Sequence, residues 1–291
     1  MRAVWILAGI LAAASAVCSA QQGAQEEPGK LVREVVYNEL HDHDLHGYWR
    51  YWVERHSPND VRVEEQVETS DGPIARAVSS NGQPVSEQVA EKEETRLREL
   101  ASSPGERANL RQSYRDDEKR VGRILAMLPD AFAFQDEGTD NGIRHLRFSP
   151  SPSYSAHCIE ARVFHQLSGD LFIDVRMKRM KKLEGHLNDN VDFGMGLLGR
   201  VNKGGWFRMV RTQVSPTEWK TERLEVHMNG RALLFKTLAH DTSEVRGGFE
   251  AVPPKMSLEQ GLRVLNETVA ARQAGGQFSP VAMLRSAGAS D

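Results

Sequence analysis

The stretch Leu171–Leu187, LFIDVRMKRMKKLEGHL, decides the fold. It holds two strand-length runs, Leu171 to Met177 and Lys181 to Leu187, with Gly169 and Gly185 as punctuation and no helical period between them. The pattern continues on both sides. Ile143 to Phe148 and His157 to Leu167 precede it, and Phe207 to Val214, Trp219 to Met228, Ala232 to Leu238 and Phe249 to Val252 follow, with Asn229-Gly230 and Gly247-Gly248 as further breaks. Turn signals spaced by about ten residues, without intervening helices, predict an antiparallel meander over 131–252 rather than βαβ units.

Upstream, Val61, Val63 and Val67 alternate with Arg62, Glu64, Gln66 and Glu68, which predicts a half-buried strand. The turn Ser70-Asp71-Gly72-Pro73 leads into Ile74 to Val78, and Asn81-Gly82 turns the chain again. Helical spacing appears in four places. Leu31, Val35, Val36 and Leu40 mark a short amphipathic helix, and Ser86 to Leu100 is a charged one. After the breaker Ser103-Pro104-Gly105, Leu110, Tyr114, Val121, Leu125 and Leu128 mark one face of a helix stopped by Pro129. Ser257-Leu258-Glu259-Gln260 is a capping box opening a C-terminal helix with Leu258, Leu262, Leu265 and Val269 on one face. The apolar stripes of the central pair are narrow, so these helices are expected to lie against the sheet.

Composition bounds the function. With 37 Lys+Arg against 40 Asp+Glu in 291 residues, the formal charge of −3 lacks the excess of a dedicated nucleic-acid binder. Arg2, the uncharged run Val4 to Val17 and the small Ala20 have the form of an export signal over 1–20, cut before Gln21. Its removal leaves 271 residues and a charge of −4. Cys18 raises lipid anchoring as a second route, although Ser15-Ala16-Val17 fits that signal poorly. Either cut leaves Cys158 without an internal disulfide partner. Residues 21–30 form a polar leader, 31–273 one α+β domain with a helical insert over about 86–128, and 274–291 a Gly/Ala/Ser-rich tail expected to be disordered.

Motifs for chemistry are weak. Gly194-Met195-Gly196-Leu197-Leu198-Gly199 matches the dinucleotide fingerprint, but Gly204-Gly205 and a strand follow where a helix is needed to receive the phosphate, so it reads as a bend or bulge. His41-Asp42-His43-Asp44-Leu45-His46 is rich in metal ligands without a recognised ligand spacing, and reads as a polar helix end and loop. The basic run Arg176, Lys178, Arg179, Lys181 and Lys182 reads as a solvated face, with lipid phosphates or an acidic partner as the alternative. No Ser lies in a nucleophile motif. Asp170, Asp174, Asp189 and Asp192 leave a glycosidase-like carboxylate pair open.

Arg162-Val163-Phe164, Gly169-Asp170-Leu171-Phe172-Ile173-Asp174, Lys182-Leu183-Glu184-Gly185, Val191-Asp192-Phe193-Gly194 and Gly204-Gly205 follow a strand-and-turn order that resembles LolA-like periplasmic proteins. That group includes outer-membrane lipoprotein carriers, lipoprotein-sorting relatives and sensor domains. The resemblance covers about 162–235, and more weakly 30–255. It implies a curved antiparallel sheet, an incomplete barrel, covered by helices around an apolar cavity. It also implies a non-enzymatic, exported protein that binds lipid or acylated lipoprotein, without metal or cofactor and with membrane-surface contact possible. An envelope sensor or interaction module with a protein partner is the alternative on the same scaffold. The helical insert and the C-terminal helix depart from the carriers. Phe193, Trp206 and Phe235 are the candidate ligand-lining residues, chosen on size and position.

Overall fold

A computed structural model describes residues 26–41, 47–193, 199–232, 241–273 and 284. Five helices and fourteen strands are assigned among them: α1 Pro28–His41, β1 Tyr48–Ser57, β2 Asp60–Val67, β3 Ile74–Ser80, β4 Gln83–Pro84, α2 Glu87–Ser102, α3 Pro104–Ala131, β5 Phe132–Asp140, β6 Ile143–Pro150, α4 Ile159–Phe164, β7 Leu167–Asp174, β8 Arg179–Leu187, β9 Val191–Phe193, β10 Gly199–Val201, β11 Trp206–Gln213, β12 Trp219–His227, β13 Gly230–Ala232, β14 Thr242–Val252 and α5 Leu258–Gln273. Eleven strands form one antiparallel sheet in the order β4-β3-β2-β1-β14-β12-β11-β8-β7-β6-β5. Its edges β4 and β5 do not pair, so the sheet is open. A small sheet, β13-β10-β9, accompanies it. The α+β class and the antiparallel meander are as expected.

Local chemistry explains the helix starts. The Glu27 carboxylate accepts the Gly29 and Lys30 amides at the head of α1. Ser86 and Ser103 cap α2 and α3, and Pro104 occupies a first-turn position where its missing N–H costs nothing. The capping box of α5 closes in both directions, Gln260 N to Ser257 Oγ and Ser257 N to Gln260 Oε1.

The register assigns the two faces of the sheet. On the inner face, Leu146 of β6, Leu171 of β7, Leu183 of β8, Met209 of β11 and Leu224 of β12 are successive cross-strand partners. α1 packs here with Leu31, Val32, Val35 and Val36, beside Leu128 and Ala131 from the end of α3. On the outer face at the other end, Val67 and Ile74 pack under Leu258, Leu262 and Leu265 of α5 and Leu97 and Leu100 of α2. Helices therefore cover opposite faces of the two halves. α3 links them, with Leu110 in the second cluster and Leu128 in the first. α2 also guards the β3 edge, because Arg96 donates to the Ala75 carbonyl and Glu93 accepts the Ala77 amide.

Several local expectations are corrected. His157–Leu167 is not a strand: the Cys158 sulfur accepts the Ala161 amide at 3.4 Å and caps the short α4, and β7 begins only at Leu167. Pro129 does not stop α3, which runs two residues further to Ala131. Gly169 and Gly185 are not turn residues but direct partners within β7 and β8. A Cβ on Gly185 would stand 2.9 Å from the Phe207 ring and 3.1 Å from the Phe148 ring, so the bare backbone makes room for two aromatics. β1 was not anticipated at all. Residues 1–25, the tail beyond 273 apart from Leu284, and most of the proposed Ala232–Leu238 strand lie outside the described residues. No helix among the described residues is long and apolar enough to cross a membrane.

Candidate functional site

The inner face changes character along one continuous row. Leu146, Leu171, Leu183, Met209 and Leu224 span five strands, about 20 Å at the usual strand spacing. The row then continues into Glu244 of β14, Arg55 of β1 and Arg62 of β2. One end of the face is therefore apolar and the other is charged.

α1 fills the apolar end. Its four buried side chains lie on the face, and charged groups pin its polar flank. Glu39, with 4% of its side chain exposed, accepts the Met180 amide at 2.9 Å, lies 3.4 Å from Arg179 Nη1, and also receives Arg211 Nη1. Arg179 Nη1 donates as well to the Asn38 carbonyl, and Lys178 reaches Glu26 and Glu34. Part of the basic run 176–182 thus ties the sheet to α1, where the sequence reading had a solvated face. Lys182 does face outward, against Glu184 and over the Phe172 ring.

The polar end gathers residues from β1, β2, β12 and β14. Gln66 Nε2 donates to the Tyr51 hydroxyl at 2.5 Å, and Lys220 binds Glu68 at 2.8 and 2.9 Å. Arg246 Nη2 donates to Glu244 at 2.7 Å, and Arg55 lies 3.4 Å from Glu64 and 3.6 Å from Glu244. Burial, helped by the nearby Glu68 charge, pushes the Tyr51 hydroxyl far up, so it stays protonated. Burial opposes the charge of Arg246, but Glu244, which also accepts its hydrogen bond, and Glu68 outweigh it and keep the guanidinium charged. Trp49, Tyr51 and Val53 pack with Phe249 and Val214 beside this cluster. From α3, Tyr114 stands over Gly72, and its hydroxyl is pushed up by burial and by Glu118 and Glu68.

The candidate lining residues are not brought together. Trp206, 39% exposed, lies on the outer face, paired with His186 and His227 and stacked on the His227 ring. It borders a groove of about 290 Å³ with His56, Glu225 and Asp241, while its neighbour Phe207 takes the inner face. The Phe193 backbone ends β9, but its side chain lies outside the described residues, as does Phe235. Of the glycine-rich motif only Gly199 is described; it opens β10, and no helix follows before β11. His41 ends α1 stacked on Tyr37, and 42–46 lie outside the described residues. Among the described residues no three metal-binding side chains are grouped. Asp170 is bound to His145, Asp174 accepts the Arg176 and Met177 amides, and Asp192 pairs with Arg200. Cys158 is a free, exposed thiol.

Sequence reasoning missed the polar cluster. No local signal marks it: Tyr51 lies in the mixed run Tyr48-Trp49-Arg50-Tyr51-Trp52, and Arg246 precedes Gly247-Gly248. The chain matches no family model, no curated protein and no solved structure.

Proposed function

We propose that the protein is an exported, non-enzymatic carrier of acyl chains or acylated lipoproteins in the cell envelope. On this reading its open sheet serves as the incomplete barrel of a LolA-like scaffold. The supporting observation is the apolar row from Leu146 to Leu224, whose Leu146–Met209 part packs in the cluster filled by four aliphatic side chains of α1, with Glu39 pinning the polar flank of that helix. In this reading α1 occupies the place of the cargo and leaves when cargo enters.

Magnitudes make the exchange feasible. Four aliphatic side chains buried by α1 contribute about 8 kcal/mol gross, at about 2 kcal/mol each. An acyl chain recovers about 0.8 kcal/mol per buried CH₂, so roughly ten methylenes offset the loss. Short acyl chains do not displace α1; long ones do.

The test is native mass spectrometry of the protein purified from its own envelope, combined with uptake of a fluorescent long-chain fatty acid. A co-purifying acyl mass or saturable uptake supports the carrier. A ligand-free spectrum with no uptake refutes it.

One observation favours a second reading, an envelope interaction module. The apolar end is filled by side chains of α1, as in a face that keeps its helix permanently. Cross-linking in the envelope that captures one stoichiometric protein partner, with α1 undisplaced and no acyl uptake, supports that module.

A further inference from the structure

Two hydrogen-bond donors at the polar end of the inner face lack acceptors. Tyr51 oxygen accepts from Gln66, which leaves its own hydroxyl hydrogen with no acceptor among the described residues. Arg246 Nη2 is taken by Glu244, whereas the buried Nε–H has no partner. The two side chains share a face, since Arg246 is the direct partner of Val53, two residues from Tyr51. Buried polar groups are nearly always paired, so two unmet donors on one face mark a place suited to a bound acceptor.

Charge decides the kind of acceptor. Arg246 and Arg55 already share Glu244, Arg55 also meets Glu64, and Lys220 meets Glu68. What remains is hydrogen-bonding capacity without spare positive charge. An anion placed there would face Glu64, Glu68 and Glu244 with every nearby cation engaged. A neutral carbonyl accepts two donors without that repulsion.

We infer that Tyr51 and Arg246 form a subsite for the neutral ester or amide carbonyl that links an acyl chain to its head group, with the chain lying along Leu224, Met209 and Leu183. This assignment rests on the carrier reading and specifies what that reading leaves open: linkage recognition at the polar end and chain burial at the apolar end. α1 and the carbonyl subsite lie at opposite ends of one row, so a single amphiphile spans both.

The experiment compares three single-chain ligands with the purified full chain by isothermal titration: 1-monopalmitoylglycerol, its ether analogue 1-O-hexadecylglycerol, and palmitate. The ester and ether differ at the carbonyl alone. One neutral hydrogen bond from Tyr51 and one from the Arg246 guanidinium predict that the ester binds about 10-fold or more tightly than the ether, and more tightly than palmitate. In Tyr51→Phe the ester advantage shrinks several-fold while ether affinity stays the same; circular dichroism confirms that the variant folds. Equal ester and ether affinities in the native chain overturn the subsite and leave the carrier reading standing. Palmitate binding tightest overturns it in favour of an anion site. Failure of all three ligands overturns the carrier reading together with the subsite.

Discussion

Replacing Glu39 by Ala tests how α1 is held. Glu39 is buried between two elements, accepting the Met180 amide and facing Arg179 and Arg211. Removing one partner of a buried ion pair costs about 3–5 kcal/mol. The lower figure applies because Arg179 keeps the Asn38 and Thr217 carbonyls, and Arg211 keeps the Trp219 carbonyl. All the lost contacts join α1 to the sheet, so the cost falls on local opening of α1 rather than on the whole fold. About 3 kcal/mol corresponds to roughly 100-fold in an opening equilibrium. Amide hydrogen exchange therefore accelerates by about that factor over α1 and remains unchanged over α5, which packs on the opposite face. Glu39→Gln keeps an acceptor for the Met180 amide and loses only the charge, so it shows about half the effect in free energy. Equal acceleration in both helices, or none in α1, would show that Glu39 does not hold α1 on the sheet.

Other outcomes follow from buried charge and packing. Asp136 binds Arg144, whose side chain is buried, and that hydrogen bond holds the carboxyl below its ordinary value of 3.8. Its stabilisation is present above that value and lost as pH falls through the lower folded one, so Asp136→Asn costs about 2 kcal/mol in urea melts at pH 7 and nothing in strong acid. Glu65 is fully buried under α5. Burial raises its pKa above the ordinary 4.5 despite Arg50 and Thr268, and its second oxygen is unpaired. The stability this group contributes is complete below 4.5 and is lost as pH rises through the raised value. Native stability relative to Glu65→Gln therefore declines between acid and neutral pH, and an opposite slope contradicts the burial argument. Gly185→Ala pushes a methyl against Phe207 and Phe148 and lowers stability by about 1–3 kcal/mol, readable as a shift in urea midpoint.

The fold class was legible because alternation over 131–252 needs only neighbouring residues. β1 escaped because Trp49, Tyr51, Trp52 and Val53 are buried on both faces and break the alternation. His157–Leu167 read as a strand because a side-chain sulfur acting as a cap leaves no periodic trace. Gly169 and Gly185 looked like turn residues, since what requires them comes from elsewhere in the chain: the Glu184 backbone stands where a Cβ on Gly169 would, and the Phe207 and Phe148 rings crowd one on Gly185. Size and position in the sequence chose Trp206 for the ligand face. Parity decides instead: Phe207 and Met209 face inward and Trp206 faces out. The polar end was invisible for a different reason, because Glu68 and Lys220 meet across 152 residues and only the sheet order brings β2 and β12 onto one face.

The central claim is that acyl chains lie along the inner face in place of α1. Photolabelling the full chain with a long-chain fatty acid carrying a diazirine near its end, followed by peptide mapping at residue level, tests it directly. Labels are expected on Leu171, Leu183 and Met209, with their strand neighbours Glu184 and Arg208 unlabelled. Labels confined to Glu184, Arg208 or the Trp206 groove, or spread without strand parity, would contradict it.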